Sequence, residues 1–205
     1  MLDTLLAWDT ALFYHANGFR SDILDVLMPV VSSHAGLAAA IAAIILFAAV
    51  AVYRRDKNAR RALRYLAVSF LFVCLCVGGN GAVTEGVKHL AGRLRPVQAL
   101  PDVYYPRNGE WRQTPAGFTP EGSKGASFFS GHSSNTMAAA VSLAAICPPL
   151  SPAIYILPPL VGYSRLYLGR HYPSDVITGL LAGFIAAAAL RRLLWRRMRH
   201  WALEE

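Results

Sequence analysis

AGLAAAIAAIILFAAVAVY, residues 35–53, runs for 19 residues without a charge, and RRDKNARRALR, residues 54–64, follows it directly. A helix of about 20 apolar residues crosses the hydrocarbon core of a bilayer. Short Arg-rich flanks stay on the cytoplasmic side. The same pairing recurs near the other end of the chain. There Val176–Leu190 runs uncharged into Arg191, Arg192, Arg196, Arg197 and Arg199.

The composition agrees with this reading. Of 205 residues, 55% are hydrophobic and 16% charged, against about 25% charged in soluble domains. That excludes a disordered chain and argues against a soluble one. Three cysteines exclude a disulfide scaffold. Cys74, Cys76 and Cys147 read as buried apolar residues within spans. The net charge of +8 would also suit a nucleic-acid binder, but such a protein needs a folded basic face with polar or aromatic partners. Here the two basic clusters only punctuate apolar runs, so the expected partners are membrane lipids and no nucleic acid.

The fold class expected is all-α, an integral membrane helical bundle forming one domain over residues 1–205. Five spans are expected: Ala35–Tyr53, Tyr65–Val83, Ser133–Cys147, Ala153–Tyr163 and Val176–Leu190. Residues 1–33 are expected to lie in the interface, with Leu2, Leu5, Leu6, Trp8, Leu12 and Phe13 on one helical face; a sixth span there is the alternative. Asp3 and Asp9, with no basic n-region, argue against a cleaved signal. Gly78-Gly79-Asn80-Gly81 is poor helix-forming sequence, read as close packing at the end of the second span. Both basic clusters then fall inside, including the tail 191–205. The long loop Val97–Phe129 falls outside, its charges balanced between Arg107, Arg112 and Lys124 and Asp102, Glu110 and Glu121. Its aromatics Tyr104, Tyr105, Trp111 and Phe118 suit an interfacial position. The expected location is a bacterial inner membrane, with the site facing the periplasm or exterior.

Three polar groups converge on that outer face: Lys88 with Arg95, Ser130-Gly131-His132, and Ser164-Arg165 with His171 and Asp175. Lys88, Arg95 and Arg165 have no matching set of carboxylates, because Glu85 pairs with Lys88 three residues on and Asp175 sits by His171. Cations that face one another want an anion between them, and Arg and Lys suit phosphate. Ser130 and Gly131 open a helix, whose free N–H groups attract anions. Two histidines divide the chemistry. His171, with Asp175 four residues on to fix one ring N–H, is the candidate nucleophile, and His132 the proton donor. No carboxylate cluster suits a metal, and no cofactor is expected. Arg93 and Arg170 are expected to add positive field without direct contact. His15, His34, His89 and His200 read as structural or solvated.

These residues resemble the type 2 phosphatidic acid phosphatase superfamily. Its Lys-x6-Arg-Pro motif reads KHLAGRLRP at Lys88–Pro96, its Pro-Ser-Gly-His reads FSGH at Phe129–His132, and its Ser-Arg-x5-His-x3-Asp reads SRLYLGRHYPSD at Ser164–Asp175. Phe129 replaces the usual proline. The resemblance covers about Ala35 to Leu190. It implies a metal-independent membrane phosphatase in which His171 becomes a phosphohistidine held by Asp175 and His132 is the general acid. Lys88, Arg95, Ser130, Gly131 and Arg165 then bind the phosphoryl group, with Ser164 in support. Gly117–Thr136 is similar to bacterial lipid A 1-phosphatases and their phosphatidylglycerophosphate and undecaprenyl pyrophosphate relatives. The expected function is dephosphorylation of a lipid phosphate or pyrophosphate. The alternatives are a lipid phosphotransferase using the same intermediate, and a non-catalytic lipid-phosphate binding or transport protein. Soluble haloperoxidases share the motifs but lack such apolar spans.

Overall fold

In a computed structural model the described residues are 2–120, 122 and 124–204. The side chains of Leu2 and Asp3, and all of Glu121, lie outside that description. Helix α1 spans Leu2–Gly18, α2 Asp22–Val31, α3 His34–Asp56, α4 Ala59–Ala91 and α5 Pro96–Ala99. After a hairpin of β1 (Tyr104–Arg107) and β2 (Glu110–Gln113) come α6 Gly131–Ile146, α7 Ser151–Ile154, α8 Leu157–Tyr167, α9 Pro173–Leu190 and α10 Arg196–Leu203.

Side-chain caps set the helix starts. Ser21 accepts from Leu24 N, Ser33 from Gly36 N and Asn58 from Arg61 N, each satisfying a free first-turn N–H. The basic loop shrinks to Lys57-Asn58, with Lys57 left-handed at the α3 C-cap. Asp56 clamps this turn through Arg55 at 2.7 Å and Arg61 at 3.0 Å.

Among the described residues, three stretches are long and apolar enough to cross a membrane: His34–Asp56, Ala59–Ala99 and Pro173–Leu203. The protein is thus mostly helical and an integral membrane protein. Helix α6 is the hub. It packs most extensively on α9 and then on α4, and from Ala138 to Ile146 every residue is buried. The fourth expected span is not continuous, being split between α7 and α8. Pro158 and Pro159 are compatible with a helix only near its first turn, so α8 starts anew at Leu157.

Other expectations change as well. Helix α4 does not end near Val83 but runs unbroken to Ala91, which places Lys88 on the helix itself. Asn80 anchors the weak segment, donating to Asn135 Oδ1 at 2.6 Å and accepting from Ser134 Oγ at 2.8 Å. Nothing lies within 4 Å of a Cβ built on Gly78 or Gly79; the close packing is on α9 instead. There a Cβ on Gly179 would meet Ser130 O at 2.6 Å, and one on Gly183 would meet Ser134 O at 2.1 Å. Cys74 is exposed, while Cys76 and Cys147 are buried.

Nor is the loop after α5 all irregular. Asn108 and Gly109 both have positive φ and turn β1 antiparallel onto β2, with Tyr104 opposite Gln113. An Asn-Gly pair suits such a two-residue turn. Asn17 of α1 joins the hairpin to α8: its amide donates to Tyr104 O and Tyr167 O at 2.9 Å and accepts from Tyr104 N. Trp111 packs edge-on against Tyr167, with Arg20 over its face. The N-terminal segment is two helices, docked on the bundle. On α1, Leu5, Leu6, Trp8 and Leu12 are exposed and Phe13 is fully buried.

The basic tail is also docked. A π-helical turn at Arg191–Trp195 carries α9 into α10. Trp195 packs against Tyr65 and Phe72 of α4, and Arg64 donates to Glu204 O at 2.5 Å. The two basic clusters thus meet at one end of the bundle. Lys88 lies at the other end of α4, 29 residues from Ala59, or about 43 Å at the helical rise.

Candidate active site

The site gathers where α4, α6, α8 and α9 end together. Gly169, with φ +69, closes α8. A Cβ there would stand 2.8 Å from Tyr104 O, so the turn needs glycine. His171 follows, and Pro173 begins α9, a position where its missing N–H costs nothing.

His171 is 3% exposed. Its Nδ1 lies 2.8 Å from the backbone oxygen of Ser127 and 3.7 Å from Asp175 Oδ2. The expectation that Asp175 fixes the ring N–H is therefore corrected: at 3.7 Å there is no hydrogen bond, and the Ser127 carbonyl takes that N–H. The geometry leaves Nε2 as the unprotonated nitrogen. Burial pushes the His171 imidazole below its ordinary 6.5; the nearby Asp175 opposes this and Arg165 adds to it.

Asp175 is fully buried. Its Oδ2 accepts from Ser127 Oγ at 2.6 Å and from Tyr172 N at 2.9 Å. Its Oδ1 accepts from Arg93 Nη1 at 2.7 Å. Arg93 thus makes direct contact, contrary to its expected role as a distant positive charge. Ser127 is the residue that the motif reading missed; it lies in GASFFSGH, just ahead of the second motif. Its loop is strapped down by Ser127 N to Arg93 O at 2.9 Å and Gly125 N to Gly92 O at 3.0 Å. A side chain at Gly125 would press on Arg93 O at 2.6 Å.

Ser130 caps α6 and accepts from Ser133 Oγ at 2.9 Å, which leaves its own hydroxyl proton to donate. Its backbone N–H is already given to Asp175 O at 3.0 Å. A Cβ on Gly131 would lie 3.3 Å from Lys88 Nζ, so the glycine lets the cation approach. Lys88 pairs with Glu85 at 2.7 Å, as the spacing predicts. Arg165 Nη1 donates to Ser32 Oγ at 2.7 Å, while its Nε is buried with no partner. Among the described residues no carboxylate pairs with Arg165 or Arg95. Arg165 and Lys88 are near enough to His132 for their charges to act on it, and Arg95 and Arg165 act likewise on His171. Ser164 donates to Val161 O of its own helix at 2.7 Å. His34 opens α3 with its ring centroid 4.6 Å from that of His132. A cavity of about 200 Å³ begins beside these two rings and runs between apolar faces of α3 and α6, past Leu37, Ile41, Ala139 and Leu143.

Comparison with known proteins places this arrangement. The PAP2 superfamily model matches residues 69–199. Lipid A 1-phosphatase of Rhizobium etli is 31% identical over 147 residues, 70% of this chain and 59% of that protein. Decaprenylphosphoryl-5-phosphoribose phosphatase of Mycolicibacterium smegmatis is 51% identical over 53 residues, 26% of this chain. The chain thus matches 59% and 28% of the lengths of these two relatives. The crystal structure of LpxE from Aquifex aeolicus has the same fold, with a TM-score of 0.61, 22% identity, and coverage of 89% of this chain and 94% of that one. With the family model spanning most of the chain and all three of its polar motifs, the chain belongs to the PAP2 superfamily.

Proposed function

We propose that the protein removes phosphate from a membrane lipid phosphate or diphosphate, at the outer membrane face, through a phosphohistidine on His171. The observation that carries this is a buried histidine, its Nδ1 held by a backbone carbonyl, set among Arg95 and Arg165, which have no carboxylate partner among the described residues, next to an apolar cavity that begins at His132. Cations in need of an anion suit phosphate; a cavity lined by bilayer-depth residues suits a hydrocarbon chain.

The chemistry follows from the positions. Lys88, Arg95, Arg165, the Ser130 hydroxyl and the Gly131 N–H hold the phosphoryl oxygens. The His171 Nε2 lone pair forms the N–P bond as the bond from phosphorus to the leaving oxygen breaks. That oxygen takes the proton of His132. A phosphate dianion held beside His132 favours a proton on its ring. In the second half His132 takes a proton from water, the water oxygen bonds to phosphorus, and the N–P bond breaks to free His171.

The reading includes five crossings in one domain. The basic clusters at Arg54–Arg64 and Arg191–Arg199 are cytoplasmic by the positive-inside rule, and the site, at the far end of α4, faces outward. Helix α6, with 16 residues, is short for a span, but it lies at the bundle centre. The names of the relatives support a lipid-borne phosphate.

The test is release of inorganic phosphate by purified protein from lipid A, phosphatidylglycerophosphate, phosphatidic acid and undecaprenyl diphosphate, beside His171→Ala. Turnover of at least one lipid, lost in the variant, is expected. Binding without turnover of any would overturn the reading in favour of a transport or binding protein.

A further inference from the structure

The acid behind the nucleophile is tied to the first helix of the chain. Asp9 of α1 is buried. Its Oδ1 accepts from Ser174 N at 2.8 Å, and its Oδ2 accepts from Ser174 Oγ at 2.6 Å and Arg93 Nη2 at 2.7 Å. The other arm of the guanidinium reaches Asp175 Oδ1 at 2.7 Å and Ser174 Oγ at 2.8 Å. The Ser174 hydroxyl therefore donates to Asp9 and accepts from Arg93. The guanidinium plane lies over Tyr172, 3.9 Å from the ring centroid. Arg93 is held on four sides, between a carboxylate from each end of the chain.

We propose that Arg93 and Asp9 are positioning residues for the reaction, and that α1 is an obligatory part of the active site. This rests on His171 as the nucleophile. Asp175 is fully buried, and among the described residues Arg93 is the one cation in hydrogen-bonding contact with it. An uncompensated carboxylate at such a site would take up a proton or turn away. Either change removes the negative charge that faces His171 at 3.7 Å when phosphorylation at Nε2 makes the ring cationic. Asp9 supplies the second anchor. Without it the guanidinium loses one of its two carboxylates and is free to shift, and Ser174, at the start of α9, loses both of its acceptor contacts. The superfamily match begins at residue 69, so Asp9 belongs to this chain's own N-terminal helix and not to the matched core. The cations for phosphate, Lys88, Arg95 and Arg165, are untouched by this network.

The experiment uses the full-length protein with undecaprenyl diphosphate and dioleoyl phosphatidic acid, comparing Arg93→Met, Arg93→Lys, Asp9→Asn and Ser174→Ala. For Arg93→Met and Asp9→Asn, kcat is expected to fall roughly 10- to 100-fold, with KM changed less than about threefold, since phosphate contacts remain. Arg93→Lys restores part of kcat. A phosphoenzyme burst slowed in proportion to kcat would place the loss at phosphoryl transfer. Wild-type kcat in Arg93→Met or Asp9→Asn overturns the proposal while leaving the phosphatase reading standing. A rise in KM with kcat unchanged also overturns it. A wild-type protein that turns over neither lipid nor any other of the four named above removes both.

Discussion

His171 Nδ1 is held by the backbone of Ser127, whose carbonyl oxygen lies 2.8 Å away, and not by the carboxylate four residues on at 3.7 Å. A backbone acceptor cannot be deleted by substitution. In Asp175→Asn the ring should therefore keep its tautomer and Nε2 should stay free to attack. The loss in kcat should be about 10- to 100-fold, well short of the roughly 10⁴-fold typical when an orienting acid also sets the tautomer. Steady-state rates of Asp175→Asn beside His171→Ala check this; equal losses would show that the carboxylate sets the ring.

The buried His171 ring should titrate below 6.5. Taking a charge out of water disfavours the protonated form, and the direction of the shift is downward. The free base required for attack then persists as pH falls to 6.5, and protonation sets in only at lower pH. The unfolded chain gains protons first, so this group's contribution to stability is intact above 6.5 and is lost as pH falls below it. Ring-labelled histidine NMR of the detergent-solubilised protein reads the midpoint. A value of 6.5 or above contradicts the burial argument.

Glu85 holds Lys88 in an ion pair at 2.7 Å. The pair must open for Lys88 to turn to phosphate. Because Glu85 is exposed and the pair weak, Glu85→Gln should lower KM by about two- to fivefold, with kcat little changed. Phosphate-release kinetics check this, and a raised KM would show that Glu85 presents Lys88 to the substrate.

The helix α9 glycines are packing positions. Gly183→Ala would drive a methyl to 2.1 Å from Ser134 O, and overpacking of this kind costs about 1–3 kcal/mol or more. Gly78→Ala, in a helix with nothing within 4 Å, should instead gain about 0.5–1 kcal/mol from reduced backbone freedom. Thermal unfolding in one detergent ranks the two. Equal midpoints would refute the close α6–α9 contact.

Chelation by EDTA should leave activity unchanged. Lys88, Arg95 and Arg165 supply the positive charge, and among the described residues no three His, Cys, Asp or Glu side chains cluster as metal ligands. Activity lost to EDTA and restored by magnesium would contradict this.

The apolar runs and Arg clusters were legible because membrane solvation acts on composition, residue by residue. The motif residues were legible because their chemistry is tied to their type and spacing. Ser127 was not, since its contact with His171 is made by a backbone carbonyl that any residue carries, and its hydroxyl meets Asp175 48 residues away. Nor was the Asp9–Arg93 contact, which joins residues 84 apart and depends on how α1 docks. The glycines of α4 and α9 look alike in sequence; only the packing distinguishes Gly78, facing open space, from Gly183, pressed on a carbonyl. The Asn108-Gly109 turn was readable by rule, but the surrounding Pro- and Gly-rich loop obscured it.

The central claim is the covalent intermediate on His171. Brief exposure of the protein to lipid substrate labelled with ³²P in the transferred phosphate, an alkaline quench and peptide mapping test it most directly. The account predicts an acid-labile, alkali-stable label on the peptide containing His171, absent in His171→Ala. Label on another residue, or turnover in His171→Ala, would contradict it.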